Sequence, residues 1–220
     1  MVLRWFGRAL VAAGTLVLLF LAYQLYGTDV LNHRSQAELR RHFQASVHHA
    51  EMTPAGAAAL RLGDPTATAT PTVAPPPPKP DLGSGVALLE IPKINLSAVV
   101  VEGIEVPDLK KGPGHYPGTP LPGQQGNVVI SGHRTTYGRP FYSLNDLTAG
   151  DPIYLTNPDG SRFTYVVSRT SIVQPTDVAV VSATTDDRLT LTTCNPRYSA
   201  AQRLIVVAEL KDAPAKQAGA

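Results

Sequence analysis

The sequence predicts an all-β fold for residues 86–211, a closed or nearly closed β-barrel with one or two short helices. Two observations support this prediction. Short apolar or alternating segments, rich in Val, Ile, Thr and Tyr, follow one another and are separated by Gly, Pro, Asn and Asp. No long amphipathic helix interrupts them, so the crossover helices that a parallel sheet requires are not predicted.

Seven segments have the composition of strands, and they are residues 86–96, 98–104, 126–131, 152–156, 163–173, 187–194 and 202–210. The sequence Asn-Pro-Asp-Gly at 157–160 predicts a turn between the fourth and fifth segments, because glycine readily adopts a positive φ. Brief helices are predicted at 106–111 and 141–147. The pattern contains no internal repeat.

An uncharged apolar run occupies residues 9–26. As a helix it would be roughly 27 Å long, which is close to the hydrocarbon thickness of a bilayer. Arg4 and Arg8 precede the run and favour a cytoplasmic location for residues 1–8. The run is longer than the core of a usual signal peptide, and no clear Ala-x-Ala site follows it. An uncleaved transmembrane anchor is therefore favoured over a cleaved signal, and in both cases the rest of the chain is exported.

Two segments separate the anchor from the predicted barrel. Residues 27–54 form a juxtamembrane stalk whose composition from 33 to 51 is compatible with a helix. No cysteine or dense carboxylate set accompanies its histidines, so a solvated stalk is favoured over a metal site; they are His33, His42, His48 and His49. Residues 55–85 are rich in Ala, Thr and Pro, which favours an extended polyproline II linker that holds the domain off the membrane. A disordered tail is predicted at 212–220.

Charge and side-chain spacing exclude some classes of partner. The formal net charge is only +2, and the lysines and arginines form no stripe that could follow a phosphate backbone, so nucleic acid is not expected. The acidic residues of the predicted barrel lack the ligand spacing of a calcium site. We therefore predict no metal and no cofactor.

Cys194 is the only cysteine of a chain that is expected to be exported. It cannot form an intramolecular disulfide, which leaves a buried apolar filler, an intermolecular pair or a reactive thiol. Strand alternation places Cys194 on the same face as Thr190 and Thr192, and places Thr193 with the leucines on the other face. The pair Asn195-Pro196 follows at once and ends the strand. A thiol at the end of a strand and beside a loop favours a reactive group.

A nucleophilic thiol needs an acid–base partner, and the predicted domain contains His115 and His133. His133 stands just beyond the segment 126–131, whereas His115 lies in a loop crowded with Pro and Gly. A strand end positions a side chain better than such a loop does, so His133 is favoured and His115 remains the alternative. As the donor to the oxyanion we favour Arg203. It follows Cys194 by nine residues, and a strand that returns antiparallel over this distance can bring it beside the cysteine. Arg197, in the connecting loop, is its competitor.

The motifs resemble those of the sortase family. Residues 190–194, Thr-Leu-Thr-Thr-Cys, match the TLxTC signature of that family. The element Ser-Gly-His-Arg at 131–134, whose histidine lies 61 residues before Cys194, also fits the family. The resemblance covers essentially all of 86–211, and the basic N-terminal anchor and the spacer also suit a sortase. The loop at 112–126 and the Ser-Gly-His-Arg element look most similar to class E sortases of actinobacteria, although class D shares much of this pattern.

The resemblance implies an eight-stranded barrel and a catalytic site of His133, Cys194 and Arg203, with Thr193 in contact with substrate. It also implies that the variable loop at 174–187 helps to select the sorting signal. Sortases cleave a C-terminal LPxTG-like signal after its Thr to form a thioacyl-enzyme, which an amine of a peptidoglycan precursor resolves. The class E likeness favours LAxTG. The expected partners are secreted proteins that carry such a signal. The expected location is the cell membrane, with a single span and an extracellular catalytic domain.

Three other functions fit parts of the pattern. A pilin-polymerising sortase would use the same site with a pilin lysine as the acceptor. An L,D-transpeptidase also uses Cys, His and Arg, but keeps its His and Cys in one compact motif, whereas 61 residues separate them here. A non-catalytic tethered β-barrel that binds a ligand would carry Cys194 as a spare thiol. Asn195 departs from the residue expected after the cysteine of a sortase.

Overall fold

The computed structural model describes residues 2–22, 28–52 and 80–212. Three α-helices are present in these ranges: α1 (Val2–Ala22), α2 (Thr28–Met52) and α3 (Val106–Leu109). Eight strands follow one another along the chain: β1 (Gly85–Ile91), β2 (Leu96–Glu102), β3 (Gly114–His115), β4 (Asn127–Ser131), β5 (Pro152–Thr156), β6 (Arg162–Val173), β7 (Arg188–Asn195) and β8 (Gln202–Asp212).

The strands form a closed barrel in the order β1-β2-β3-β4-β7-β8-β6-β5, and β5 pairs with β1 to complete it. The predicted all-β, eight-stranded barrel is thus confirmed. The pairs β2–β3 and β4–β7 are parallel, and the other neighbours are antiparallel. Seven strands coincide with the predicted segments. The eighth, β3, lies in the loop that holds His115 and was not predicted.

Short helical turns replace parts of the predicted segments. The first segment ends at Ile91 because Pro92 begins a 3₁₀ turn, Pro92–Ile94. The helix predicted at 106–111 is α3, and the one predicted at 141–147 is reduced to the 3₁₀ turn Leu144–Asp146. A further 3₁₀ turn, Val178–Val181, lies between β6 and β7.

The barrel interior is apolar and contains one face of every long strand. On β7, Leu189 and Leu191 are fully buried, as the alternating pattern predicts, and Leu204 and Val206 of β8 pack in the same cluster. Phe141, which follows β4, is also fully buried in this cluster. Burial of several large side chains of this kind contributes about 1.5–3 kcal/mol each. The interior therefore forms a rigid support for the strand ends.

The N-terminal helices differ in their surroundings. The aliphatic and aromatic side chains of α1 are widely exposed, including Trp5, Leu10 and Leu18. Across 2–22, 28–52 and 80–212, no helix combines the length and the apolarity that crossing a membrane requires. The predicted anchor extends past Ala22 to residues outside these ranges, and it stays a prediction. Residues 53–79 and 213–220, where most of the linker and the tail were predicted, also lie outside them.

In contrast to α1, α2 packs against the barrel. Phe43 is buried beside Gly85 of β1, and Gln36 hydrogen-bonds to the backbone of β2. The segment predicted as a solvated stalk is therefore a docked helix.

Candidate active site

Cys194 and Arg203 lie directly opposite each other on the antiparallel strands β7 and β8. This cross-strand pairing agrees with the nine-residue return expected from the sequence. The Cys194 thiol is free and half-buried. Arg203 is also half-buried, and its Nη1 donates hydrogen bonds to the carbonyl oxygens of Ala200 and Gln202, both at 3.0 Å. The backbone thus holds the guanidinium beside the thiol-bearing strand.

His133 reaches the same end of the barrel on the neighbouring parallel strand. Ser131, the last residue of β4, pairs with Thr192 of β7. The amide of Gly132 continues the ladder by donating to the Thr192 carbonyl at 3.1 Å. His133 lies two residues after Ser131, and Cys194 lies two residues after Thr192. The parallel register therefore brings both residues to the same level along the barrel axis. The structure therefore brings together His133, Cys194 and Arg203.

The surroundings of His133 favour a neutral imidazole. Its Nε2 atom is buried and has no hydrogen-bond partner within the described part of the chain. Burial lowers the pKa of His133, and the positive charge of Lys110 lowers it further. The Tyr137 ring packs against the imidazole with ring centroids 5.1 Å apart. A neutral ring with a free nitrogen can accept a proton at neutral pH and return it later.

A cavity of about 110 Å³ opens on the outer face of the barrel and reaches Arg203. Its walls are formed by the ends of β4, β6, β7 and β8, by the loop before β4 and by the loop predicted to select the substrate; the lining residues are Tyr116, Ser131, Val173, Gln174, Pro175, Asp177, Val178, Val180, Val181, Thr192 and Arg203. The variable loop at 174–187 therefore forms one wall of a cavity next to the candidate site.

Thr193, which the resemblance places in contact with substrate, occupies another position. It is 2% exposed, and its hydroxyl donates to the Gly132 carbonyl at 2.7 Å. Its cross-strand partner is Leu204 of the core. Thr193 therefore joins β7 to the chain just before His133, whereas Thr192 is the threonine that lines the cavity.

Arg134 forms a link between the histidine and cysteine strands that the sequence analysis did not single out. Its Nη1 donates to the Cys194 carbonyl at 3.1 Å and to Asn195 Oδ1 at 2.8 Å, and its Nη2 donates to Asn145 Oδ1 at 2.8 Å. Arg134 is only 5% exposed. In the sequence, the signal for this role was the position of Arg134 directly after the candidate base, His133. The unexpected Asn195 is thereby explained as an acceptor for Arg134, and its Nδ2 donates to Gln202.

The two competing residues have structural partners instead. His115 is buried, with Nδ1 2.6 Å from Glu102 Oε2 and Nε2 3.0 Å from the Pro120 carbonyl. Both of its nitrogens are therefore engaged, and β4 separates its strand, β3, from β7. Arg197 donates to the Tyr142 carbonyl and to Asn145, and its guanidinium lies 4.2 Å from the Tyr142 ring.

The residue types at this end of the barrel match the three groups that thiol-based acyl transfer needs: a nucleophile, a proton acceptor and a cationic donor for an oxyanion. Within residues 2–22, 28–52 and 80–212, no group of three or more His, Cys, Asp or Glu is placed where it could hold a metal ion. A barrel with a cysteine, a histidine and an arginine at neighbouring strand ends has the features of a cysteine transpeptidase.

Comparison with known proteins agrees with this class. The family model for the sortase domain matches residues 89–211. The chain belongs to the sortase family, whose members are cysteine transpeptidases.

The relatives include proteins of two sortase classes. The chain is 40% identical to sortase D of Bacillus subtilis over 54% of its own length and 58% of that protein's. It is 30% identical to sortase SrtE1 of Streptomyces coelicolor over 92% of its own length and 55% of that protein's. The solved sortase E of Streptomyces avermitilis has a TM-score of 0.56 and 38% identity, covering 64% of this chain and 96% of that one. The chain thus spans little more than half the length of these two curated relatives.

Proposed function

We propose that the protein is a membrane-anchored transpeptidase that cleaves a C-terminal sorting signal after its Thr and transfers the new carboxyl group to an amine of a cell-wall precursor. The observation that carries the proposal is the pairing of Cys194 with Arg203 beside His133 at one barrel end. The likeness to sortase E favours a signal of the LAxTG type over LPxTG. The exposed apolar side chains of α1, and Arg4 and Arg8 before the uncharged run at 9–26, support the anchor.

The reaction is an exchange of one amide for another. Cys194 Sγ attacks the threonyl carbonyl carbon while His133 takes the thiol proton, and Arg203 donates to the oxyanion. The carbon–nitrogen bond then breaks, the leaving amine receives the proton from His133, and a thioester joins Thr to Cys194. The acceptor amine attacks this thioester and loses a proton to His133, and the thiolate leaves. No oxidant, reductant or metal is consumed.

The first test uses the full chain in detergent with LAxTG and LPxTG peptides and an added amine. Cys194→Ala is expected to lower cleavage by more than about a thousandfold, because it removes the nucleophile. Wild type is expected to accumulate a peptide adduct on Cys194 that mass spectrometry detects when the amine is withheld. Equal cleavage by the Ala variant would show that Cys194 is a spare thiol and not the nucleophile, whereas a non-catalytic tethered barrel would cleave neither peptide.

The proposed role of Arg203 as oxyanion donor is tested by comparing the same substitution at Arg203 and at Arg197. Arg203→Gln is expected to lower kcat by roughly 10²–10³-fold, which is typical for loss of an oxyanion donor. Arg197→Gln is the control, because its guanidinium is bonded to Tyr142 and Asn145 in the connecting loop. A larger loss in the Arg197 variant would reverse the assignment. Absence of both cleavage and alkylation of Cys194 in wild type would end the proposal.

A further inference from the structure

The contacts between α2 and the barrel are specific and mostly polar. The Gln36 side-chain amide accepts from the Val99 amide at 2.8 Å and donates to the Val99 carbonyl at 3.0 Å. It thereby makes the pair of bonds that a neighbouring strand would make with β2. The same Nε2 atom donates to the Lys111 carbonyl at 2.8 Å. One turn later, Arg40 donates to the Ser97 carbonyl at 2.9 Å. The helix is therefore fixed to the barrel edge at several points.

The first turn of α2 contacts the loop that follows His133. Asp29 Oδ1 accepts a hydrogen bond from the Gly138 amide at 3.0 Å, and its Oδ2 lies 3.8 Å from the Arg139 guanidinium. Asn32, which is 7% exposed, donates to the Lys110 carbonyl at 3.0 Å. These contacts link the start of α2 to Lys110 and to the loop at 137–139. Both lie beside the candidate base and are more than 75 residues away from their α2 partners in sequence.

The contacted loop has an unusual backbone. Tyr137, Gly138 and Arg139 have φ angles of 50°, 74° and 47° in succession. Side-chain-bearing residues adopt this left-handed region at a cost, and they persist there only where neighbouring structure holds them. At Gly138 a Cβ would collide with Asn32 Oδ1, so the close approach of α2 also requires glycine. The bond from the Gly138 amide to Asp29 holds the loop at the centre of this run.

Two side chains near His133, those of Tyr137 and Lys110, are held by contacts with α2. The Tyr137 ring packs on the imidazole at 5.1 Å, and the Lys110 ammonium lies 5.4 Å from the centre of the same Tyr137 ring. Asp29 holds the loop that carries Tyr137, and Asn32 holds the backbone of Lys110. The burial of His133 and the charge near it both lower its pKa, so displacement of either neighbour would change this environment.

We propose that Asp29 and Asn32 are positioning residues that hold the His133 ring in place for proton transfer at Cys194. They act through the loop at 137–139 and through the backbone of Lys110, and neither touches the reacting atoms. This inference rests on the transpeptidase function proposed above. It makes α2 a part of the catalytic unit, so the segment next to the membrane anchor contributes to the active site.

The test compares variants along α2 in the full chain. Asp29→Ala and Asn32→Ala, singly and together, are expected to lower kcat by roughly ten- to a hundredfold, since small displacements of a reacting group have effects of this size. KM for the sorting peptide is expected to stay within about twofold, because the substrate cavity lies on other elements. Asp29→Asn retains an oxygen for the Gly138 amide and is expected to restore most of kcat.

A second measurement separates positioning from general destabilisation. Imidazole NMR of the same variants is expected to show the His133 pKa rising towards its ordinary value of about 6.5 as the ring becomes hydrated. Arg40→Ala is the matched control, since it removes a bond of α2 to Ser97 of β2 about two helical turns beyond Asn32. It is expected to leave both kcat and the His133 titration as in wild type.

Each outcome decides the proposal. An unchanged His133 titration and kcat in the Asp29 and Asn32 variants would overturn it. An equal loss in Arg40→Ala would also overturn it, because docking of the whole helix would then be responsible. The His133 titration does not depend on turnover, so it tests the positioning role of Asp29 and Asn32 even if wild type cleaves no sorting peptide. Absence of cleavage by wild type would contradict only the proposed function.

Discussion

At the scale of single residues, burial and one nearby positive charge set the pH range in which the candidate base is neutral. Burial is the larger cause of the lowered pKa of His133, and Lys110 is the second. A lowered pKa keeps the imidazole neutral to a lower pH. The acid limb of kcat/KM, which reports the free enzyme's base, is therefore expected below about pH 6.5.

Lys110→Gln removes that charge and keeps the backbone carbonyl that Asn32 contacts. The pKa of His133 is expected to rise but to stay below about 6.5, because desolvation remains. The acid limb of kcat/KM should move to higher pH with it, and NMR titration of the ring measures the same shift directly. Lys111→Gln serves as the control, since no effect of Lys111 on His133 is resolved. A fall in the pKa of His133 in the Lys110 variant would contradict the assigned sign.

Strand position and the sortase resemblance together singled out the three candidate catalytic residues, and two details show where such reasoning stopped. Alternation along β7 places Thr193 with the core leucines, and the structure agrees. The local pattern thus gave the orientation of Thr193, and the substrate contact that the family resemblance implies stays a prediction. Arg134 has no periodic signal, because its importance comes from contacts with Cys194 and Asn145, which lie far away in sequence.

At the scale of elements, one asparagine holds the loop between β6 and β7 against the barrel. Asn127 Nδ2 donates to the carbonyls of Val180 and Ser182, both at 3.1 Å, and Oδ1 accepts from the Thr190 hydroxyl at 2.7 Å. The side chain is 2% exposed. The wall of the cavity that reaches Arg203 thus depends on a residue outside the loop.

Asn127→Ala is expected to raise KM for a sorting peptide by roughly tenfold, because two hydrogen bonds of about 1 kcal/mol each no longer order the loop. The effect on kcat should be smaller, since the strand ends that carry the catalytic groups stay in place. Steady-state kinetics measures both. The double variant with Thr190→Val avoids an orphaned buried hydroxyl, and Thr190→Val alone is the control with the loop contacts intact. An unchanged KM in the Asn127 variant would show that other contacts hold this wall.

Elements were predictable where their signal was local. Seven strands follow from alternation and turn residues, whereas β3 has only two residues among Pro and Gly and forms because β2 and β4 flank it. The position of α2 was not predictable, since its contacts use Gln36, Asn32 and Asp29. Among the α2 side chains whose burial the structure describes, Phe43 is the only large apolar one that is buried. A polar docking face has no hydrophobic periodicity, so composition resembled that of a solvated stalk.

At the scale of the whole molecule, the orientation across the membrane decides whether the proposed substrates can reach the site. Secreted proteins with a sorting signal and cell-wall amines are both outside the cytoplasmic membrane, so the proposed function requires the barrel to lie there as well. The docking of α2 on the barrel leaves residues 23–27 as the chain between α1 and the docked helix. The barrel is therefore expected to lie close to the outer surface of the membrane.

The single cysteine provides a direct test of this orientation. A membrane-impermeant maleimide added to intact cells is expected to label Cys194, which is half-exposed and is the only thiol of the chain. The matched reporter combines Cys194→Ser with Gly7→Cys, a position where an added side chain meets no neighbouring atom. It should be labelled only after permeabilisation, because the arginines around it favour the cytoplasmic side. If Cys194 needed permeabilisation and Gly7→Cys did not, the orientation would be reversed, and the thiol could not meet a sorting signal outside the cell.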